Sequence, residues 1–416
     1  MRLSDRFIDP ASYGAYNFSN IPGTIISALT PETPERMLPP DALRGLHRKY
    51  DKVVVFLTDA FGWSYFEDSR KKSVFLNELC ERGCVSKLIT QSPSTTACNI
   101  TTMNTAQAVA EHGIFEWFYY EPEVGEIICP LLYSYGRRSR ERDSLKADKN
   151  LIPAAIYPGR SIYKKLLEHG VTGYTFQSRD YAISPYSDVA MEGARRYGYI
   201  TLSDGLVNLA QAVIDRPKKA YYYFYFDRID ALSHAYGPDS KELNAEIETF
   251  LLSLEKIFWD RVRDKVENVL FILTADHGQT AINPEKCVYL NLAYPEIKKY
   301  MKTSKSGELL VPAGSCRDMF LYIKDEWLEE ALQFLRTKLH DKAIILRTRD
   351  LVENGYFGQK HVSEALAGRL GDLVILPFEG ECVWWYEKGL FEISFLGHHG
   401  GLTKNEMEIP FLAWEL

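Results

Sequence analysis

No stretch of the chain reaches the roughly 18–20 consecutive apolar residues that a membrane-spanning helix needs. The very apolar "AYYYFYF" at 220–226 is only seven residues long, the length of a buried strand. The opening "MRLSDRFIDPASYGAYNFSN" carries charges and a proline where a secretion signal needs an apolar run. An excess of basic charge is also missing. The 49 Lys and Arg against 56 Asp and Glu leave a net charge of −7, which removes the electrostatic basis for gripping a nucleic-acid polymer. It leaves open a small phosphate ester held locally by metal. Cysteine is sparse: seven residues, odd in number and scattered, with only Cys80 and Cys84 close together, the usage of a reducing compartment. The sequence therefore predicts a cytoplasmic protein with neither membrane nor nucleic-acid polymer as partner. It does not speak to oligomeric state.

What is present is an ordinary globular composition, 46% hydrophobic and 25% charged. At 416 residues the chain exceeds the roughly 250–300 at which a single core stops growing, so a substantial insertion or a second domain is expected. Continuous apolar runs recur at 52–58, 85–90, 171–177, 220–226, 269–275 and 372–377. Runs buried on both faces, with helical segments between them, predict a doubly wound α/β core: a mostly parallel sheet with helices on both faces. Between 239 and 264, Leu243, Ile247, Phe250, Leu251, Leu254, Ile257, Phe258 and Val262 recur at helical spacing, the stripe of a crossover helix packed on a core. The rhythm changes after about 280. The expected division is a core of residues 1–280 and 371–416, with a smaller α+β insertion over 281–370 packed against the main sheet.

In open α/β sheets function gathers at the carboxyl ends of the strands, and the ends of these runs are rich in donors. Asp59 follows the first; "QSPSTTACNITTMNT" follows the second; "DRIDALSHAYGP" follows 220–226; Asp276 and His277 follow 269–275. "HHGG" at 398–401 lies beyond the last run. Asp59 alone reads more readily as a helix N-cap than as a ligand, since it sits where a strand gives way to a helical run. Asp230 and His234, four apart, share one face of a helix, the spacing at which neighbouring turns can share a metal. An imidazole from "HHGG" would complete that set, and Asp59, Asp276 and His277 would make a second, both suited to Zn²⁺. In "ADHG" the acid and imidazole point to opposite faces of an extended chain, so reaching one partner needs a turn, which Gly278 would permit.

Asp59, "PSTTACN" at 93–99, "DALSHAYGP" at 230–238, "TADHG" at 274–278 and "HHGG" together resemble the alkaline phosphatase superfamily, and within it the nucleotide pyrophosphatase/phosphodiesterase branch. The resemblance covers about 340 residues, and five motifs in order are far more specific than any one. It implies an alkaline phosphatase-like fold, two divalent metal ions (zinc, with manganese as the alternative), and hydrolysis of a phosphodiester or nucleotide pyrophosphate bond. Asp230, His234 and His399 would hold one ion, and Asp59, Asp276 and His277 the other. Thr96 would be the nucleophile and a metal ligand, passing through a phospho-threonine, and Asn99 would stabilise the transition state. The pattern selects His399 over His398 and aligns Thr96 with the nucleophile, leaving Thr95 as an alternative attacking hydroxyl in a poorer register. Ala97 and Cys98 depart from the bulkier residues of relatives.

Other readings stay in the same fold. A phosphomonoesterase or phosphomutase needs a cation beside the phosphoryl site, and "QSPSTTACNITTMNT" has none, although Arg179 or Arg228 could swing in. A sulfatase lacks its Cys/Ser-x-Pro-x-Arg motif here, and a non-catalytic module sits poorly with a full ligand set. His112 reads as a structural or pocket-wall residue, Asp227 as a weaker competitor for metal, and Trp384, Trp385, Tyr119 and Tyr120 as packing, or as stacking faces if turned to the site. A small phosphoester or nucleotide is the expected substrate.

Overall fold

The computed structural model describes residues 3–157, 159–216 and 219–416. Its core is a seven-stranded sheet in the order Cys84–Ile89, Glu408–Glu415, Val269–Thr274, Lys52–Thr58, Ala220–Phe226, Thr172–Ser178, Arg195–Tyr199. Lys52–Thr58 pairs in parallel with both Ala220–Phe226 and Val269–Thr274, and all three strands are buried along their whole length. Burial on both faces is why these segments are unbroken Val, Ile, Phe and Tyr. Only Glu408–Glu415 runs against its neighbours.

Two strands escape the hydrophobic pattern. Arg195–Tyr199 is an exposed edge with two arginines, a composition that blunts edge pairing. Glu408–Glu415 contains Pro410, which argues against a central strand. Its pairing with Val269–Thr274 starts only at Phe411, so the missing N–H falls outside that ladder.

The run at 372–377, expected in the main sheet, lies elsewhere. Leu373–Pro377 is the middle strand of a separate three-stranded sheet with Met319–Leu321 and Ala343–Arg347, antiparallel to both. Val374 and Leu376 face the main core, while Leu373 and Ile375 belong to a second apolar cluster that runs from Ile282 to Phe391. A strand buried from both sides reads like a central strand whichever sheet it joins, which explains the misassignment. The small sheet is thus packed directly on the main body.

The crossover helix forms as the spacing predicts, Lys241–Ser253, but continues through a π-helical stretch, Leu254–Trp259. No helix of the described residues is long and apolar enough to cross a membrane.

Candidate active site and metal centre

Asp59 sits where Lys52–Thr58 ends; the next helix starts only at Trp63, with Gly62 at its cap, so Asp59 is not capping it. The Oδ2 of Asp59 accepts a hydrogen bond from Tyr225, a side chain of the Ala220–Phe226 strand. Asp276 and His277 follow Val269–Thr274, and the Oδ1 of Asp276 accepts from the backbone N–H groups of Ala60 (3.1 Å) and His277 (2.9 Å). Gly278 serves by its size: a Cβ there would lie 2.1 Å from the Asn405 carbonyl oxygen and 3.2 Å from the Gly62 Cα. Two loops meet at that point, so the glycine answers a close approach. Thr280–Ala281 then pairs antiparallel with Gly397–His398, which carries the "HHGG" segment to the same strand ends.

Two donor groups result. Asp59, Asp276 and His277 each offer an atom within 4.8 Å of the others, and so do Asp230, His277 and His399. His277 lies between them, 3.4 Å by Nε2 from the Oδ1 of Asp59, with its ring stacked on His399 at 3.7 Å between centroids. His234, one helical turn from Asp230, brings Nε2 to 3.3 Å from the Oδ1 of Asp230, and His399 Nε2 is 3.7 Å from the same oxygen. All of the acids and imidazoles expected at two metals therefore converge on one spot.

The tautomers are fixed from behind. The Nδ1 atoms of His234, His277 and His399 face the carbonyl oxygens of Gly397 (2.8 Å), Gly278 (3.1 Å) and Ser94 (2.9 Å). A carbonyl only accepts, so each Nδ1 carries the proton and each Nε2 presents a lone pair to the cluster. Burial lowers the His277 pKa to about 3 and that of His399 well below its ordinary value, so both rings are neutral. Burial, then the charges of Asp276 and Asp230, raises Asp59 well above the carboxylate range, and burial raises Asp276 to about 7 and Asp230 in the same direction. The Oδ2 of Asp276 is fully buried with no hydrogen-bond partner. Buried carboxylates with an orphaned oxygen, beside neutral imidazoles with free lone pairs, form a donor set that divalent cations satisfy.

Thr96 opens the helix Thr96–Thr105, with its Oγ1 3.0 Å from His277 Nε2 and 3.5 Å from Asp59 Oδ1. Thr95 turns away and donates its hydroxyl to the Phe115 carbonyl at 2.8 Å. Asn99 does not take the position expected of it. One turn into the helix it is fully buried, its Nδ2 donating to the Thr95 carbonyl (2.9 Å) and its Oδ1 accepting from Gln91 (3.2 Å). With that residue packed inside the helix, the groups beside Thr96 that face the cavity include Ala97 and Glu116.

The cavity in front of Thr96 has a volume of about 400 Å³, walled by Trp117, Phe118, Trp384, Phe391 and Phe395 on one side and by Asp230, His234 and His399 on the other. No Lys or Arg among the described residues lines it. Arg179 is exposed elsewhere, and Arg228 lies beside Asp227, whose Oδ2 accepts from Tyr181. His112 is buried behind the Thr96–Thr105 helix, bonded to Thr102 (3.1 Å) and to the Ile114 N–H (3.0 Å).

Several residues at the site carry no signal in the sequence. Gln279 donates to the Oδ1 of Asp230 at 2.5 Å. Glu116 and Asp318 form a buried carboxyl pair in which burial raises Glu116 to about 7 and, with the Glu116 charge, raises Asp318 further. Asp318 is held by Ser315, whose Oγ also donates to the His399 carbonyl at 3.0 Å. Only Gln279 was within reach of a motif, as the residue after "ADHG".

Residues 53–401 match the family model for type I phosphodiesterase / nucleotide pyrophosphatase. The chain belongs to that family and is a phosphoric ester hydrolase. Its fold is similar to that of murine ectonucleotide pyrophosphatase / phosphodiesterase 5 (ENPP5, NPP5), at 18% sequence identity and a TM-score of 0.63 over 87% of each chain. The same protein as an inactive variant in complex with AMP gives the same values. The human ENPP5 structure is 17% identical, with a TM-score of 0.63 and 87% of each chain covered. Among curated proteins none matches the sequence significantly.

Proposed function

We propose that the chain hydrolyses a phosphodiester or nucleotide pyrophosphate bond through a phospho-threonine at Thr96. The observation that carries this reading is the Thr96 hydroxyl, 3.0 Å from His277 and 3.5 Å from Asp59 at the floor of the cavity, while Thr95 is turned away. Asp59, Asp276 and His277 would hold one ion, and Asp230, His234 and His399 the other; nitrogen and oxygen donors suit Zn²⁺, with Mn²⁺ as the alternative. When bound, such ions supply activation of an attacking oxygen and stabilisation of a departing one.

Thr96 Oγ1 attacks phosphorus in line with the ester oxygen that leaves. The Thr96 O–P bond forms as the P–O bond to the departing alcohol or nucleotide breaks, the threonyl proton ending on the departing oxygen or in solvent; water then splits the threonine phosphate, its oxygen going to phosphorus and a proton restoring the Thr96 hydroxyl. The Ala97 backbone N–H, in the first turn of Thr96–Thr105 and on the cavity lining, would receive a non-bridging phosphoryl oxygen. The aromatic wall offers stacking faces for a base, in keeping with the AMP bound to the ENPP5 variant. Trp384 thus serves both the second cluster and the cavity.

A monoester would bring a further negative charge into a cavity that offers it no Lys or Arg from the described lining. The diester reading therefore outranks the phosphomonoesterase and phosphomutase alternatives. The test is elemental analysis of the purified protein together with kcat/KM for a nucleoside p-nitrophenyl phosphate diester and for p-nitrophenyl phosphate. The reading expects close to two transition-metal ions and a preference for the diester. A preference for the monoester by tenfold or more would replace it with the phosphatase alternative.

A further inference from the structure

Three of the seven cysteines meet in the second apolar cluster, away from any motif of the hydrolase site. Val288–Tyr289 and Val383–Trp384 pair in parallel with Val288 opposite Val383, and the Val288 N–H donates to the Cys382 carbonyl at 3.0 Å. One residue back along this register, Cys287 stands opposite Cys382. Neighbouring strands lie roughly 4.8 Å apart, inside the roughly 4.4–6.8 Å Cα separation that a disulfide accepts. From the other side the Val383 N–H donates to the Cys316 carbonyl at 3.1 Å.

Cys382 therefore has Cys287 beside it in the strand register and Cys316 next to it through the Val383–Cys316 hydrogen bond, while its own Sγ faces the Asn283 carbonyl at 3.9 Å. The thiolate is the species that attacks a disulfide. Cys287 is partly exposed, Cys382 is buried, and Cys316 is buried and forms part of the wall of the catalytic cavity. The three thiols therefore run from the protein surface to the active-site wall.

We propose that Cys287 and Cys382 form a reversible disulfide, and that Cys316 is the thiol able to exchange into it. The oxidant is a small-molecule disulfide. The Cys287 thiolate attacks one of its sulfurs, forming a mixed disulfide and releasing one small thiol. The Cys382 thiolate then attacks the Cys287 sulfur, closing the protein disulfide and releasing the second small thiol. Two protein thiols lose two protons and two electrons, and the small disulfide is reduced to two thiols. Attack of Cys316 on the Cys382 sulfur would free Cys287 and move the bond to the cavity wall, with no further oxidant.

The test equilibrates the full-length protein with glutathione disulfide or with dithiothreitol, followed by acid quench, alkylation in denaturant and non-reducing peptide mapping. The expected result is two fewer alkylated thiols after glutathione disulfide, with the Cys287 and Cys382 peptides linked and dithiothreitol restoring both. In Cys287→Ser, whose site is partly exposed, the link should move to Cys316–Cys382. In Cys382→Ser no link should join Cys287 to Cys316. Full alkylation of all seven thiols after oxidant, a Cys80–Cys84 link in their place, or a metal ion that holds the three thiols unreactive until chelated would each overturn the proposal.

Discussion

Arg317 and Glu406 form a doubly hydrogen-bonded ion pair with both side chains fully buried, Nε to Oε1 and Nη2 to Oε2 at 3.0 Å each. Glu406 Oε1 also accepts from the Gly401 N–H (3.0 Å), and the Glu406 carbonyl accepts from the Gly278 N–H (3.0 Å). One buried pair therefore joins the small sheet's side of the molecule to the loops that carry His277 and His399. Arg317→Met leaves the Glu406 carboxylate buried without its partner, which costs about 3–5 kcal/mol. Urea denaturation should show that loss, and chelator competition should show faster metal release. Unchanged stability would mean that the pair does not organise the loops.

Tyr225 is the only side chain outside the donor set recorded on Asp59 Oδ2 among the described residues. Removing the hydroxyl frees that carboxylate to rotate away from His277. Tyr225→Phe should keep the fold and weaken the ion held by Asp59, Asp276 and His277 about 10–100-fold, read by competition with a fluorescent chelator. Affinity equal to that of the wild type would show that the hydroxyl is incidental.

The strand-end logic makes Asp59, Asp276 and His277 legible because they directly follow the apolar runs 52–58 and 269–275, whereas His399 is legible only through the resemblance. The rest depends on contacts that only the folded chain makes. Gln279 reaches Asp230 across 49 residues, and Arg317 reaches Glu406 across 89. Asn99 is close to Thr96 in sequence without being close at the site, because the helix turns its amide back onto Thr95. The Glu408–Glu415 strand is hidden by Pro410 and by alternation too irregular to read, while Leu373–Pro377 is legible as a strand but not as a member of the small sheet, because burial on both faces reads the same in either.

His112 gives a pH dependence separate from the donor groups. Burial first, then the Arg369 charge, lowers its pKa from 6.5 to about 3 in the folded state. Between these values the unfolded chain binds a proton that the folded chain does not, so stability is present above about 6.5 and is lost as pH falls toward 3. His112→Gln should flatten the loss measured by urea midpoints between pH 6.5 and pH 4. Parallel curves for the two proteins would show that His112 titrates normally when folded.

The two neighbouring hydroxyls should separate cleanly. Thr95→Val loses a hydrogen bond to Phe115, a cost of about 1 kcal/mol in stability, and should keep turnover within about tenfold. Thr96→Ala should abolish turnover of a nucleoside p-nitrophenyl phosphate while circular dichroism and metal content stay at wild-type levels. The reverse ranking of the two variants would transfer the attack to Thr95.

The most direct measurement is an acid quench of the metal-loaded enzyme during turnover of a phosphodiester, with peptide mapping by mass spectrometry. A phosphoryl group should appear on Thr96 within the peptide that spans the start of Thr96–Thr105, and should decay as substrate is exhausted. If the enzyme turns over with no phosphoryl group on any residue, and water enters the product in a single displacement that inverts phosphorus, attack by Thr96 is contradicted.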